Sequence, residues 1–267
     1  VSIIFISHAL EEALAIADRI TVMRDGEHVL TEVTSALDRE KIIRAMVGRT
    51  LSGELYGSPR NRTARMAGEK VLSVQNLSMG NVVRNTSFSV FAGQIAGVFG
   101  LIGSGRTEAA KVVAGVLKRD LFHGGHVRLF GRPVRYRVPR RAVRDGIIYV
   151  TEDRKLEGFF ETMSIAENIY LAAMAGGQAK SATVNMSEMR AIAKHWIAAL
   201  GVKAVNADAR VIELSGGNQQ KVVVAKALVQ KPKLILFDEP TRGVDVGAIA
   251  EIHQLINKLA DEGIAVM

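Results

Sequence analysis

Gly100-Leu-Ile-Gly103-Ser104-Gly105-Arg106-Thr107 follows an apolar run, Gln94 to Phe99, and opens a stretch with helical character. A glycine-rich turn from strand to helix is the setting a phosphate-binding loop needs. The glycines let backbone N–H groups turn inward toward phosphate oxygens, the helix start adds a positive dipole, and a hydroxyl at Thr107 can ligate magnesium. The pattern departs from the usual one at a single position. Arg106 stands where a lysine is expected, and a planar guanidinium does not replace a point ammonium group for group. Taken alone, the segment also reads as an ordinary strand-to-helix connection.

The surrounding sequence supports a layered α/β fold. Ile147 to Val150 and Leu234 to Phe237 are short unbroken apolar runs, as expected for parallel strands buried on both faces. Further strands are expected at Val71 to Leu77, Thr86 to Phe91 and Gln94 to Phe99, and helices at Ser164 to Met174 and about Met186 to Leu200, the latter two forming a separate lobe. A last helix carries Ile249, Ile252, Ile256 and Leu259 on one face, with Asp245 placed to cap its start. Ahead of all this, the first residues read as a strand (Ile3 to Ile6), a helix (about Leu10 to Ala17), a strand (Ile20 to Arg24), a turn at Asp25 and Gly26, a short strand, and a helix from about Asp38 to Met46. Between Thr50 and Lys70 the apolar periodicity dissolves into Gly, Arg, Ser and Pro, which reads as a linker.

Composition narrows the classes. With 48% hydrophobic and 23% charged residues the bulk of the chain should fold. The absence of Cys excludes a disulfide framework and Cys-based zinc or iron–sulfur sites. No apolar run approaches the roughly 18 residues that a membrane span needs. The net charge of +8 invites a polyanion partner, but the dense basic stretch, Arg132, Arg135, Arg137, Arg140, Arg141 and Arg144, reads as a solvated face. His123 and His126 flank Gly124 and Gly125 without a third partner and make a poor metal site.

Two further segments carry chemistry. Leu234-Ile-Leu-Phe237-Asp238-Glu239-Pro240-Thr241 is a buried strand ending in two acids. One carboxylate there can hold a magnesium-bound water, and the next can polarise an attacking water for in-line phosphoryl transfer. Leu214-Ser215-Gly216-Gly217-Asn218-Gln219-Gln220-Lys221 opens a helix with a polar cap and exposed glycines, a second anion-binding helix start, or on the blander reading an ordinary cap with Ser215 in that role.

The order and spacing of LSGGNQQK and LILFDEPTRGVD resemble the signature motif, Walker B motif and D-loop of ABC-transporter ATPases. The closest likeness is to the second ATPase domain of the tandem ATP-binding subunits of monosaccharide importers, whose second domains resemble this chain in carrying Arg in GxxGxGRT. Tyr149-Val-Thr-Glu152-Asp-Arg-Lys155 is similar to their altered Q-loop, with the acid Glu152 in place of glutamine. Phe5-Ile-Ser-His8 and the residues through Gly26 look like the switch-histidine segment and closing strands of a first ATPase domain.

The resemblance implies an α/β P-loop NTPase (RecA-like) core with an antiparallel β subdomain and an α-helical signature subdomain. It divides the chain into a remnant of a first domain (1–52), a linker (53–69) and most of a second domain (70–267), so a fragment interrupted at both ends is expected. It implies ATP and Mg2+ as ligands. Gly100, Gly103, Ser104, Gly105, Arg106, Thr107, Glu152 and Asp238 would bind nucleotide, Thr107 and Asp238 would hold the metal, and Glu239 and His8 would be catalytic. Ser215, Gly216, Gly217 and Gln219 form the signature and Asp245 belongs to the D-loop. In this family ATP lies between two domains, so His8 and the signature would serve one nucleotide and the Arg106 loop another; this chain alone would turn over ATP negligibly. No aromatic residue stands for the family's adenine-stacking position; Leu77, Met79, Val82 and Val83 occupy that neighbourhood. The implied partners are transmembrane permease subunits and, indirectly, an extracytoplasmic sugar-binding protein, with a possible ATPase-domain dimer and no nucleic acid. The implied location is the cytoplasmic side of the cell membrane, peripheral. Two alternatives stay open: a soluble tandem ATPase acting on ribosomes or nucleic acid, and a non-hydrolysing regulatory domain.

Overall fold

The computed structural model describes residues 1–7, 10–24, 26–180 except 48–64, and 183–267. It divides into two compact units, one of residues 1–62 with 244–251 and one of residues 63–243 with 252–267.

In the first unit, helix α1 (Leu10–Ile16) precedes an antiparallel pair, β1 (Arg19–Arg24) and β2 (Glu27–Val33), followed by helix α2 (Arg39–Val47). Apolar residues alternate along β1, and Ile20 and Val22 point into a small core with Leu37, Ile42 and Ala45. Asp38 caps α2, its Oδ1 accepting from the Lys41 amide at 2.7 Å. The strand expected at Ile3 to Ile6 does not form. Ile3, Ile4 and Ile6 are 85%, 90% and 92% exposed, and no strand among the described residues lies beside them to satisfy a ladder. An apolar run without a neighbouring edge stays irregular, because backbone groups in a strand need partners.

The second unit carries two sheets. Strands β3 (Lys70–Met79) and β4 (Val83–Phe91) form a long hairpin. Helix α3 (Arg106–Val113) comes next, then β5 (His126–Leu129) and β6 (Arg132–Pro133), which complete an antiparallel sheet of order β4-β3-β5-β6. Helix α4 (Pro139–Asp145) leads into β7 (Ile147–Val150), and a π-helical turn at Arg154–Gly158 follows it. Helices α5 (Ile165–Ala175), α6 (Met186–Leu200) and α7 (Gly216–Leu228) precede β8 (Leu234–Phe237), helix α8 (Val246–Asp261) and β9 (Ala265–Val266). Strands β7, β8 and β9 are parallel neighbours in that order.

The unbroken apolar runs are explained by what covers them. Ile147, Leu234 and Leu236 face a core shared with α3 and the antiparallel sheet, whereas Ile148, Val150 and Ile235 face a second core shared with α5 and α7. Both faces of the parallel sheet are dry, so alternation disappears. In the helical lobe, Tyr170 and Ala166 of α5 pack on Met189 and Ala193 of α6. Ser164 and Glu167 form a reciprocal capping box at the start of α5. The six arginines from Arg132 to Arg144 are all exposed, along β6, α4 and the segment between them.

The strand expected at Gln94 to Phe99 shrinks to one bridge, Ile95 to Val266. Two backbone bonds, Ala96 N–H to Val266 O at 2.8 Å and Val266 N–H to Gln94 O at 3.0 Å, hold it. Among the described residues the pairing goes no further, and Val98 and Phe99 are exposed. No described helix is long and apolar enough to cross a membrane.

Candidate active site

The turn from Gly100 into α3 is shaped by its glycines. A Cβ on Gly100 would lie 2.7 Å from Ser104 Oγ, and one on Gly105 would lie 2.5 Å from the Val82 carbonyl oxygen. Gly103 and Gly105 also adopt φ of +81° and +84°, a left-handed backbone that L side chains disfavour. Gly105 is the N-cap of α3 and supplies no side-chain acceptor, so no cap side chain competes for the helix's first N–H groups. Such a start accepts an anion.

Beside it stands the exit of β8. Thr107 Oγ1 donates to Asp238 Oδ1 at 3.1 Å, and Tyr149 Oη donates to Asp238 Oδ2 at 2.7 Å. Burial pushes the Tyr149 phenol well above its ordinary value, and the bond and charge of Asp238 push the same way, so this hydroxyl stays protonated and donating. Glu239, at φ +43°, turns its carboxylate the other way, where Oε1 lies 3.6 Å from Arg106 Nη2. A hydroxyl and a carboxylate side by side are hard oxygen donors, and the pair fits a magnesium ion. The narrow glycine turn, the uncapped helix start and this donor pair together suit a nucleotide triphosphate.

A second cluster surrounds Arg154, which is only 9% exposed. Its Nε donates to Gln219 Oε1 at 3.3 Å, Nη1 to the Arg242 carbonyl at 2.5 Å and Nη2 to the Gly243 carbonyl at 2.8 Å. Gln219 in turn donates from Nε2 to the Leu214 carbonyl at 2.9 Å, tying the start of α7 down. A Cβ on Gly216 would lie 2.7 Å from the Gly243 carbonyl oxygen, so the helix start and the 242–243 turn touch backbone to backbone. Ser215 is the N-cap of α7, but its Oγ accepts from Asn218 Nδ2 at 2.9 Å rather than from a backbone amide. Gly217 is buried.

The candidate residues thus fall into two groups. Gly100, Gly103, Ser104, Gly105, Arg106, Thr107, Asp238 and Glu239 come together at one end of the parallel sheet. Ser215, Gly216, Gly217 and Gln219 gather at the start of α7. Glu152 forms an ion pair with Arg242, in the turn that joins the two groups. In the first unit, Asp245 accepts from the Ala248 amide at 2.9 Å and caps α8 as expected. His8 lies outside the described residues. Sequence reasoning missed Tyr149 and Arg154 as site residues. Tyr149 stands at an alternate position of a wholly apolar strand, a polar tip that had to find a partner. Arg154 gave no comparable signal, since its carbonyl acceptors lie 88 and 89 positions away in sequence.

A glycine turn opening a helix beside a parallel sheet, a hydroxyl-carboxylate pair and a second glycine-led helix start define a nucleotide-binding cassette. Residues 83–242 match the ABC transporter family model, and the chain belongs to that family. It is 44% identical over 262 residues to the ribose import ATP-binding protein RbsA 3 of Rubrobacter xylanophilus, covering 98% of this chain and 51% of that protein. It is 42% identical over 267 residues to the ribose import ATP-binding protein RbsA of Geobacillus kaustophilus, with 100% and 52% covered. The chain therefore spans about half the length of the curated relatives it matches. Among solved structures, a nucleotide-free ATP-binding cassette from an ABC transporter superposes with a TM-score of 0.63 at 23% identity, covering 74% of this chain and 79% of that one. The α/β cassette fold, with its antiparallel sheet and helical lobe, is as expected.

Proposed function

We propose that the chain is part of the ATP-binding, energy-coupling subunit of a monosaccharide ABC importer. Residues 70–267 would belong to its second ATPase domain, 53–69 to a linker and 1–52 to the end of a first domain. The observation that carries this reading is the meeting of Thr107 with Asp238, 131 positions apart, directly behind a glycine turn built to take phosphate. The names of the relatives, ribose import ATP-binding proteins, supply the substrate class.

In this reading the backbone of Gly100 to Gly105 would cradle the phosphates of ATP, Arg106 would add positive charge, and Thr107 and Asp238 would hold a magnesium ion. That ion, when bound, neutralises phosphate charge during phosphoryl transfer. Tyr149 orients Asp238 by occupying its second oxygen. Glu239 is the candidate base for the attacking water, and its ion pair with Arg106 competes with that role, so hydrolysis at this site is slow. Glu152, which replaces the Q-loop glutamine, bonds to Arg242. Ser215, Gly216, Gly217 and Gln219, together with His8, serve the nucleotide held by the first domain, and Asp245 belongs to the D-loop. The partners are permease subunits at the cytoplasmic membrane face, with a sugar-binding protein reached through them and no nucleic acid.

Equilibrium binding of ATP to the purified chain, with and without magnesium, tests the reading. Magnesium-dependent binding that Thr107→Ala abolishes is the expected result. Binding unaffected by Thr107→Ala, or no binding to the wild-type chain, would overturn the assignment of this loop as a working nucleotide site.

A further inference from the structure

Arg154 is almost wholly buried at the start of the π-helical turn, and all three of its bonds lead away from its own segment. Two end on backbone carbonyls of the turn that follows Glu239, and one ends on the Gln219 side chain at the start of α7. Burial pulls the guanidinium below its ordinary value, with neighbouring Asp153 opposing that change, and it remains charged at physiological pH. Its planar fork satisfies acceptors on two elements at once, which a lysine ammonium on a flexible stem does not reproduce. Gly216 meets the same two groups: a Cβ there would lie 2.7 Å from the Gly243 oxygen and 2.9 Å from Arg154 Nη2. Glu152, two residues before Arg154, holds the Arg242 side chain of the same turn.

We infer that Arg154 is a positioning residue that fastens the start of α7 to the 242–243 turn, so that the two move as one body. This rests on the reading proposed above, in which the turn adjoins the acids of one nucleotide site while the start of α7 serves another. Arg154 then carries the state of one site to the other. Arg242 N–H donates to the Glu239 carbonyl at 3.0 Å, so the turn held by Arg154 is continuous with the candidate base itself. Two of the three acceptors are main-chain carbonyls, so the fastening does not depend on the Arg242 side chain, while a φ of +63° favours glycine at 243.

Hydrogen exchange read by mass spectrometry on the full chain tests this, comparing wild type, Arg154→Lys and Arg154→Ala. Without nucleotide, both variants should exchange about tenfold faster than wild type at 215–220 and at 240–243 together, with the β3–β4 hairpin unchanged. Lysine keeps the charge and the stem, so a merely space-filling role would be rescued by it. Wild-type exchange in Arg154→Lys, acceleration at only one of the two segments, or uniform acceleration of the whole unit would each overturn the inference. In a second arm, Mg-ATP should protect 100–107 in every protein, and protection should spread to 215–220 in wild type alone. Spread in Arg154→Lys equal to wild type would also overturn it. Absence of protection at 100–107 in wild type would instead refute the nucleotide site, while the nucleotide-free arm still decides on Arg154.

Discussion

Replacing Lys226 by methionine should change how stability responds to pH. Lys226 sits on α7 with its Nζ donating to the Gly158 carbonyl and lying 5.3 Å from the centre of the Phe160 ring. No carboxylate is among these partners, and burial pulls its pKa from 10.5 down to about 8. The unfolded chain then binds the proton more tightly than the folded one between those two values. Stability from this group is therefore lowest below pH 8 and rises until pH passes 10.5. At about 1.4 kcal/mol per pH decade, the wild type should gain on the order of 2–3 kcal/mol over Lys226→Met between pH 7 and pH 10. Methionine preserves the unbranched apolar stem and has no proton to lose. Urea unfolding followed by Trp196, the one tryptophan in the chain and part of α6, reads this unit. Titrations other than that of Lys226 are common to both proteins and cancel in the difference. A wild-type-minus-variant difference that is flat from pH 7 to 10, or that falls as pH rises, would refute the reasoning.

Two further substitutions follow from geometry. Gly105→Ala combines a left-handed φ of +84° with a Cβ only 2.5 Å from the Val82 oxygen, so it should lose more than about 2 kcal/mol in the same titration and lose ATP binding. Gly103→Ala, with φ +81° and nothing within 4 Å, should lose only the backbone cost of about 1–2 kcal/mol; equal losses would show that the contact with Val82 does not matter. Ser164→Ala removes one arm of the α5 capping box and should lower stability by about 1 kcal/mol with nucleotide affinity unchanged, measured by urea unfolding and ATP titration.

Much of the second unit was legible because its signals are local. The apolar runs of β7 and β8 and the glycine spacing before α3 each state their geometry within a few residues, as does the Asp245 cap in the first unit. Ile3 to Ile6 and Gln94 to Phe99 were equally apolar, yet strand formation depends on a neighbour that a local pattern does not reveal. The antiparallel hairpin ran longer than expected for the opposite reason. Met79 and Val83 pair across the turn, and Val83 is buried, so the ladder continues past the end of the apolar alternation. The site was legible in its glycines and acids but not in its wiring. Arg106 to Glu239, Glu152 to Arg242 and Arg154 to the 242–243 carbonyls are long-range pairings, and nothing in the sequence says which of many exposed acids and carbonyls an arginine will choose.

The left-handed backbone at Glu239 sets the needs of folding against those of chemistry at one residue. A non-glycine side chain in that conformation costs about 1 kcal/mol, and asparagine or glycine would sit there more comfortably. The same twist sends Asp238 toward two hydroxyls and Glu239 toward a guanidinium, dividing adjacent acids between separate tasks. A protein selected for durability alone would drift away from glutamate at this position. Variants that relieve the strain should be hardier and chemically poorer, which makes position 239 a place where a family of cassettes can trade turnover for persistence without altering the fold.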